Sequence, residues 1–77
     1  MNAGMVTGIA QLAIANMHAG ERLSSSNAYY LAHLAGKLPA GPDRTAVEGI
    51  IREARVGTLT EAQLAVVQRL AKVLQDG

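Results

Sequence analysis

Apolar residues recur along this chain at intervals of three and four, the spacing that places side chains on one face of an α-helix. The last segment shows it most clearly and predicts a helix over residues 60–75. Thr60 and Gln63 have the spacing of a capping box, and Leu59 can pack against Leu64 as a hydrophobic staple. Gln68 falls on the polar side. The apolar arc contains Ala62, Leu64, Val66, Val67, Leu70, Ala71, Val73 and Leu74.

The first segment predicts a helix over residues 3–19 that is apolar around more than half of its circumference. Asn16 could cap a carbonyl in its last turn, and Gly20 is a natural stop. Two interpretations stay open, with the first preferred. The helix is the central helix of a small bundle, or part of it faces a second subunit. The residues of that self-association face would be Met5, Gly8, Ile9 and Leu12.

Two further helices are predicted between these segments, over residues 25–38 and 44–56. Ser24 to Ser26 are plausible N-caps of the first, and Pro39 ends it. The other helix opens either at Pro42 or with a second capping box formed by Thr45 and Glu48. The core-facing residues of the two helices would be Ala28, Leu31, Ala32, Leu34, Ala35, Leu38, Val47, Ile50, Ile51 and Ala54.

Four short helices in 77 residues predict one all-α, four-helix domain that spans residues 1–77. Aromatic residues make up 3% of the chain, with no Phe and no Trp, so the core is built from smaller aliphatic side chains. Small domains bury a limited fraction of their surface, and self-association is a simple way to bury more. We therefore expect a homodimer.

Charge and hydropathy argue against binding of nucleic acid through charge alone, against a signal peptide and against a membrane-spanning segment. Seven basic and six acidic residues give a net charge of +1, too balanced for a protein that binds nucleic acid through charge alone. No Lys or Arg precedes Arg22, so the basic start of a signal peptide is lacking. No apolar run reaches the roughly 18 residues that span a bilayer. We expect a cytoplasmic protein without a membrane partner.

Candidate catalytic groups are few and follow no known motif. The chain has no cysteine, and the spacing of His18, Glu21 and His33 matches no metal-ligand pattern. Surface histidines are the preferred interpretation. We therefore expect a non-enzymatic protein with no cofactor and no metal site.

A nucleic-acid interface is the alternative hypothesis. The third and fourth predicted helices, joined at Gly57, have the outline of a helix-turn-helix. The start of the last helix, from Glu61 to Leu64, offers few side chains that could contact base edges. If the two helices pack antiparallel, their cations would form one basic surface for a weak DNA- or RNA-binding regulator. These residues are Arg52, Arg55, Arg69 and Lys72.

A protein-binding surface is the preferred hypothesis. Tyr29 and Tyr30 are the only aromatic residues and share one side of the second helix with His33 and Lys37. Tyrosine is enriched in interfaces because its ring buries area while its hydroxyl stays polar. Alternatively, Tyr30 covers the core edge and Tyr29 lies on a neighbouring helix. The surface suits an adaptor, an assembly part or an inhibitor that occupies a partner's surface.

The segments 27–31 and 59–64 resemble, in general character only, small helical proteins of phages and other mobile elements. The resemblance implies no role for any single residue.

Overall fold

The computed structural model describes the backbone of residues 3–76 and the side chains of residues 7–74. All regular secondary structure in this part of the chain is helical, which confirms the predicted all-α, four-helix domain. The helices are α1 (Ala3–Ala15), α2 (Ser25–Lys37), α3 (Pro42–Val56) and α4 (Glu61–Asp76). Their bounds lie within two residues of the predicted ones, except at the end of α1.

The helices α2 and α4 are the centre of the bundle, because each packs against all three of the others. Among the described residues, α1 contacts α2 and α4 but not α3. The preferred expectation that α1 is the central helix is therefore wrong. Of the described side chains of α1, only Ala10 and Ile14 are buried, whereas Ile9 and Leu12 are exposed. The leucine-rich helices fill the centre instead.

The core is a single cluster of fourteen aliphatic side chains. Its largest fully buried members come from all four helices or from the loops beside them: Ile14, Leu31, Val47, Leu59 and Val67. Of the predicted core residues, Ala32 is exposed and Ile51 is half-buried at the edge. The rest of the predicted faces of α2 and α3 is buried as expected.

The predicted caps of α2 and α4 are present. The Ser24 hydroxyl accepts from the Asn27 N–H at 3.1 Å and caps α2. In the capping box of α4, Thr60 Oγ1 accepts from the Gln63 N–H, and Gln63 Oε1 accepts from the Thr60 N–H, both at 3.0 Å. Pro42 opens α3, so the alternative start at a second capping box is wrong: the Thr45 N–H already donates to the Gly41 carbonyl.

The first helix ends at Ala15, four residues earlier than predicted. Asn16 Nδ2 donates to the Leu12 carbonyl at 2.8 Å, which confirms its expected capping role. Gln68, predicted on the polar side of α4, is half-buried and donates from Nε2 to the Ile14 carbonyl at 3.2 Å. Gln68 also donates to the Ala15 carbonyl, so its side chain serves carbonyls at the end of the helix. Gly20 forms a turn in the loop instead, with φ of 86°.

Two loops are joined at one end of the bundle by backbone hydrogen bonds. The Gly20 N–H donates to the Leu59 carbonyl at 2.7 Å, and the Leu59 N–H donates to the Glu21 carbonyl at 2.9 Å. The Leu23 N–H donates to the Ala54 carbonyl at 3.0 Å. The α1–α2 loop is thereby fixed against the α3–α4 loop, and both Leu23 and Leu59 are buried.

The capping box predicts a measurable loss of stability on substitution. We expect Thr60→Ala to lower the free energy of unfolding by about 1 kcal/mol, because the Gln63 N–H loses its acceptor at the start of α4. The measurement is urea unfolding followed by circular dichroism. Thr58→Ala, at an exposed position just before the cap, is the matched control and should change stability little. Equal losses in the two variants would contradict the role of the cap.

Two isoleucines of α1 allow a matched test of its orientation. Ile14 is 1% exposed and Ile9 is 36% exposed. We expect Ile14→Ala to cost about 2–5 kcal/mol, because it leaves a cavity in the core. Ile9→Ala should cost clearly less in the dilute protein. Unfolding curves of both variants at low micromolar concentration measure the difference, and the reverse order would show that α1 is rotated.

Candidate functional site

The two tyrosines lie in contact on α2 but differ in exposure. Tyr29 is 58% exposed, and Tyr30 is half-buried. Their ring centroids are 5.6 Å apart with an interplanar angle of 72°, an edge-to-face arrangement. Tyr29 therefore presents most of its ring to the outside, held on one side by its neighbour. Tyr30 is half-buried, but it is not among the partly buried side chains that pack against the core.

His33 and Lys37, predicted to join the tyrosines, have different surroundings. His33 is half-buried, and its Nε2 lies 3.0 Å from Thr7 Oγ1 of α1. This contact joins the first half of α1 to the second half of α2. Lys37 is exposed in the last turn of α2. His33 thus joins two helices and is less accessible than Tyr29.

The outer side of α1 carries the residues predicted for self-association. Gly8, Ile9 and Leu12 are exposed, Leu12 to 68%. A Cβ atom placed on Gly8 would have no heavy atom within 4 Å, so the space beside its backbone is open. The side chain of Met5 lies outside the described residues. The first helix therefore has uncovered apolar side chains on the side turned away from α2 and α4.

Charged residues are distributed unevenly between the two halves of the chain. Of the thirteen charged residues, ten lie between residues 43 and 76. The other three are Glu21 and Arg22, in the loop between α1 and α2, and Lys37, at the end of α2. The helix α1 has no charged residue, and α2 has none before its last. This half, which has few charges, carries three of the five exposed large apolar side chains among the described residues: Ile9, Leu12 and Tyr29.

We give the name α1–α2 surface to five uncharged residues on these two helices. The α1–α2 surface consists of Gly8, Ile9, Leu12, Tyr29 and the exposed part of Tyr30. The Thr7–His33 contact places the two helices side by side. The name groups the residues predicted for self-association on α1 with the tyrosines predicted for partner binding on α2.

The four cations of the nucleic-acid hypothesis are all exposed, and two of them, Arg55 and Lys72, lie in different places on the bundle. Gln63 Nε2 donates to Glu53 Oε1 at 3.3 Å, so the Glu53 side of α3 faces the start of α4. Arg55 follows two residues later, about 200° around the helix, and faces away from α4. Lys72 lines the groove between α1 and α4. The other two cations are Arg52 and Arg69. Acidic residues are interspersed with the cations along both α3 and α4.

The predicted chemistry-bearing residues do not come together. His18 and Glu21 line a cavity of about 190 Å³ beside the α1–α2 loop, whereas His33 lies against Thr7. Among the described residues, no group of three or more His, Asp or Glu side chains could hold a metal ion. No helix in the described part of the chain has the length and apolar character needed to cross a membrane.

Comparisons of the chain with models of protein families, with curated proteins and with solved structures found no match.

Sequence reasoning missed two polar contacts that connect α1 to other helices. The Thr7–His33 contact joins residues 26 positions apart, and the bond from Gln68 to the Ile14 carbonyl joins residues 54 positions apart. A helical wheel describes one helix at a time, so it cannot show which polar residue meets another helix. The only available signal was that Thr7 and Gln68 lie next to the apolar arcs of their helices.

Proposed function

We propose that this protein is a small, non-enzymatic protein-interaction module that acts by occupying the surface of a partner protein. It serves as an adaptor, an assembly part or an inhibitor, and it associates with itself as a homodimer. The observation that carries the proposal is the α1–α2 surface, where exposed apolar side chains lie in the half of the domain that has few charges. Interface cores are depleted in charge and enriched in tyrosine.

Tyr29 is the residue of this surface best suited to recognise a partner. Its ring is mostly exposed, and its edge-to-face contact with Tyr30 restrains it before binding. A restrained aromatic side chain loses little conformational entropy when it is buried, and tyrosines are common among the residues that dominate binding energy. Lys37, at the end of the same helix, would contribute a charge at the rim.

Tyr29→Ala tests the partner-binding role directly. We expect the variant to lose cross-linked partner protein in the native host, because truncation removes the largest exposed ring without disturbing the core. Val56→Ala, at an apolar position that is 80% exposed at the end of α3, is the control and should retain the partner. Tyr30→Ala is less informative because Tyr30 is half-buried. Unchanged capture by Tyr29→Ala would reject this residue as the contact.

The nucleic-acid alternative has its own test. We expect no salt-dependent shift of labelled DNA or RNA at about 150 mM salt, because binding driven by phosphate contacts needs several convergent cations. We also expect Arg52→Glu with Arg69→Glu to leave partner capture unchanged. Binding that weakens steeply with salt, and is lost in this double variant, would favour the alternative over protein binding.

A further inference from the structure

The outer side of α1 carries two exposed apolar side chains, Ile9 and Leu12, on a helix without charged residues. Of the described side chains of α1, only Ile14 belongs to the fourteen-residue core, and Ala10 is buried beside it. Ile9 and Leu12 point outward. A helix that is apolar nearly all round is normally buried on more than one side. The bundle covers one side of α1 and leaves the other open.

The chemistry of this outer side restricts what can cover it. The helix α1 carries no charged residue, and the groups beside Leu12 on the same face are Gly8 and the amide of Asn16. A charged partner surface would lose its hydration here without gaining an ion pair. An uncharged apolar surface has no hydrated charges and therefore does not lose this hydration energy. The outer side of α1 in another copy of the chain is such a surface, and it is present whenever this one is.

We propose that a second copy of this chain covers the outer side of α1, in a two-fold-symmetric pair in which the two α1 helices pack against each other. The proposal rests on the proposed function and specifies the self-associating part of it. Gly8 lies one turn before Leu12, and the open space beside its backbone lets the helices approach closely. In a two-fold pair the same residues meet from both sides, as an uncharged face permits. Tyr29, on α2, stays available for a different protein.

The size of the contact sets the expected affinity. With thirteen residues, α1 is about 20 Å long at 1.5 Å per residue. One helix per copy buries less than the roughly 800 Å² per partner of a standard stable interface. We therefore expect a reversible dimer with a dissociation constant in roughly the micromolar to sub-millimolar range.

Sedimentation equilibrium of the full chain, from about 5 µM to about 1 mM, tests the proposal across that range. We expect wild type to change from monomer to dimer. Leu12→Arg should raise the dissociation constant at least about tenfold, because each copy would bury an unpaired charge. Val73→Arg is the matched control at a 56% exposed position on α4, and it should dimerise like wild type. Circular dichroism checks that both variants fold.

Gly8→Leu provides a second variant that cannot be confused with misfolding. Within one copy a Cβ atom at this position has no heavy atom within 4 Å, and leucine favours a helix more than glycine does. We expect a higher melting temperature in the dilute monomer together with weaker dimerisation, because the side chain would separate the two helices. A stable variant that dimerises as well as wild type would overturn the close approach at Gly8, and with it the proposed packing.

Ionic strength distinguishes this contact from one built on charge. We expect the dissociation constant to change less than about threefold between 50 and 500 mM sodium chloride, because salt screens charges and this face has none. A strictly monomeric chain at about 1 mM, steep weakening by salt, or equal effects of Leu12→Arg and Val73→Arg would each overturn the proposal. If the wild-type chain is monomeric and Tyr29→Ala still abolishes partner capture, the dimer is rejected but the role of Tyr29 is not. A dimer whose Tyr29→Ala variant captures its partner normally would reject the role of Tyr29 alone.

Discussion

Burial of aliphatic side chains without any aromatic ring in the core is the constraint on which this structure depends. The fourteen core residues are Ala, Val, Leu, Ile and Met, so the helices must approach closely to exclude water. The helices alone do not complete the core. Four of its members, Met17, Leu23, Leu38 and Leu59, lie outside the helices. Each loop has a defined conformation because it buries at least one of these four side chains.

Local signals account for the parts of the fold that could be predicted. The capping box of Thr60 and Gln63 spans three residues, so its sequence contains the whole interaction. Pro42 similarly marks the start of α3. The end of α1 could not be predicted, because Gln68 reaches its carbonyls from a position more than fifty residues away. The apolar pattern continues through Met17, which is buried from the loop rather than from the helix.

The candidate surface shows the same division between local and long-range information. The helical wheel correctly placed Tyr29 opposite the leucines of α2, because that arrangement follows from helical periodicity. It could not show that His33 is held by Thr7 of another helix. The helical wheel also favoured a central position for α1, because more than half of the circumference of this helix is apolar and an apolar surface is normally buried. Whether that cover comes from the same chain depends on how the other helices pack.

The hydrogen bonds between the first and third loops have a consequence for how the domain opens. The α1–α2 and α3–α4 pairs are also held together by the packing of α2 on α3 and of α1 on α4, and the short segment between Lys37 and Pro42 connects them at one end. The bonds from Gly20 and Leu59 close the bundle at the opposite end, so neither hairpin can swing away while the loops stay paired. Separation would break backbone bonds and expose buried leucines in the same step. The chain should consequently lose its structure in a single cooperative transition, without a stable half-folded hairpin.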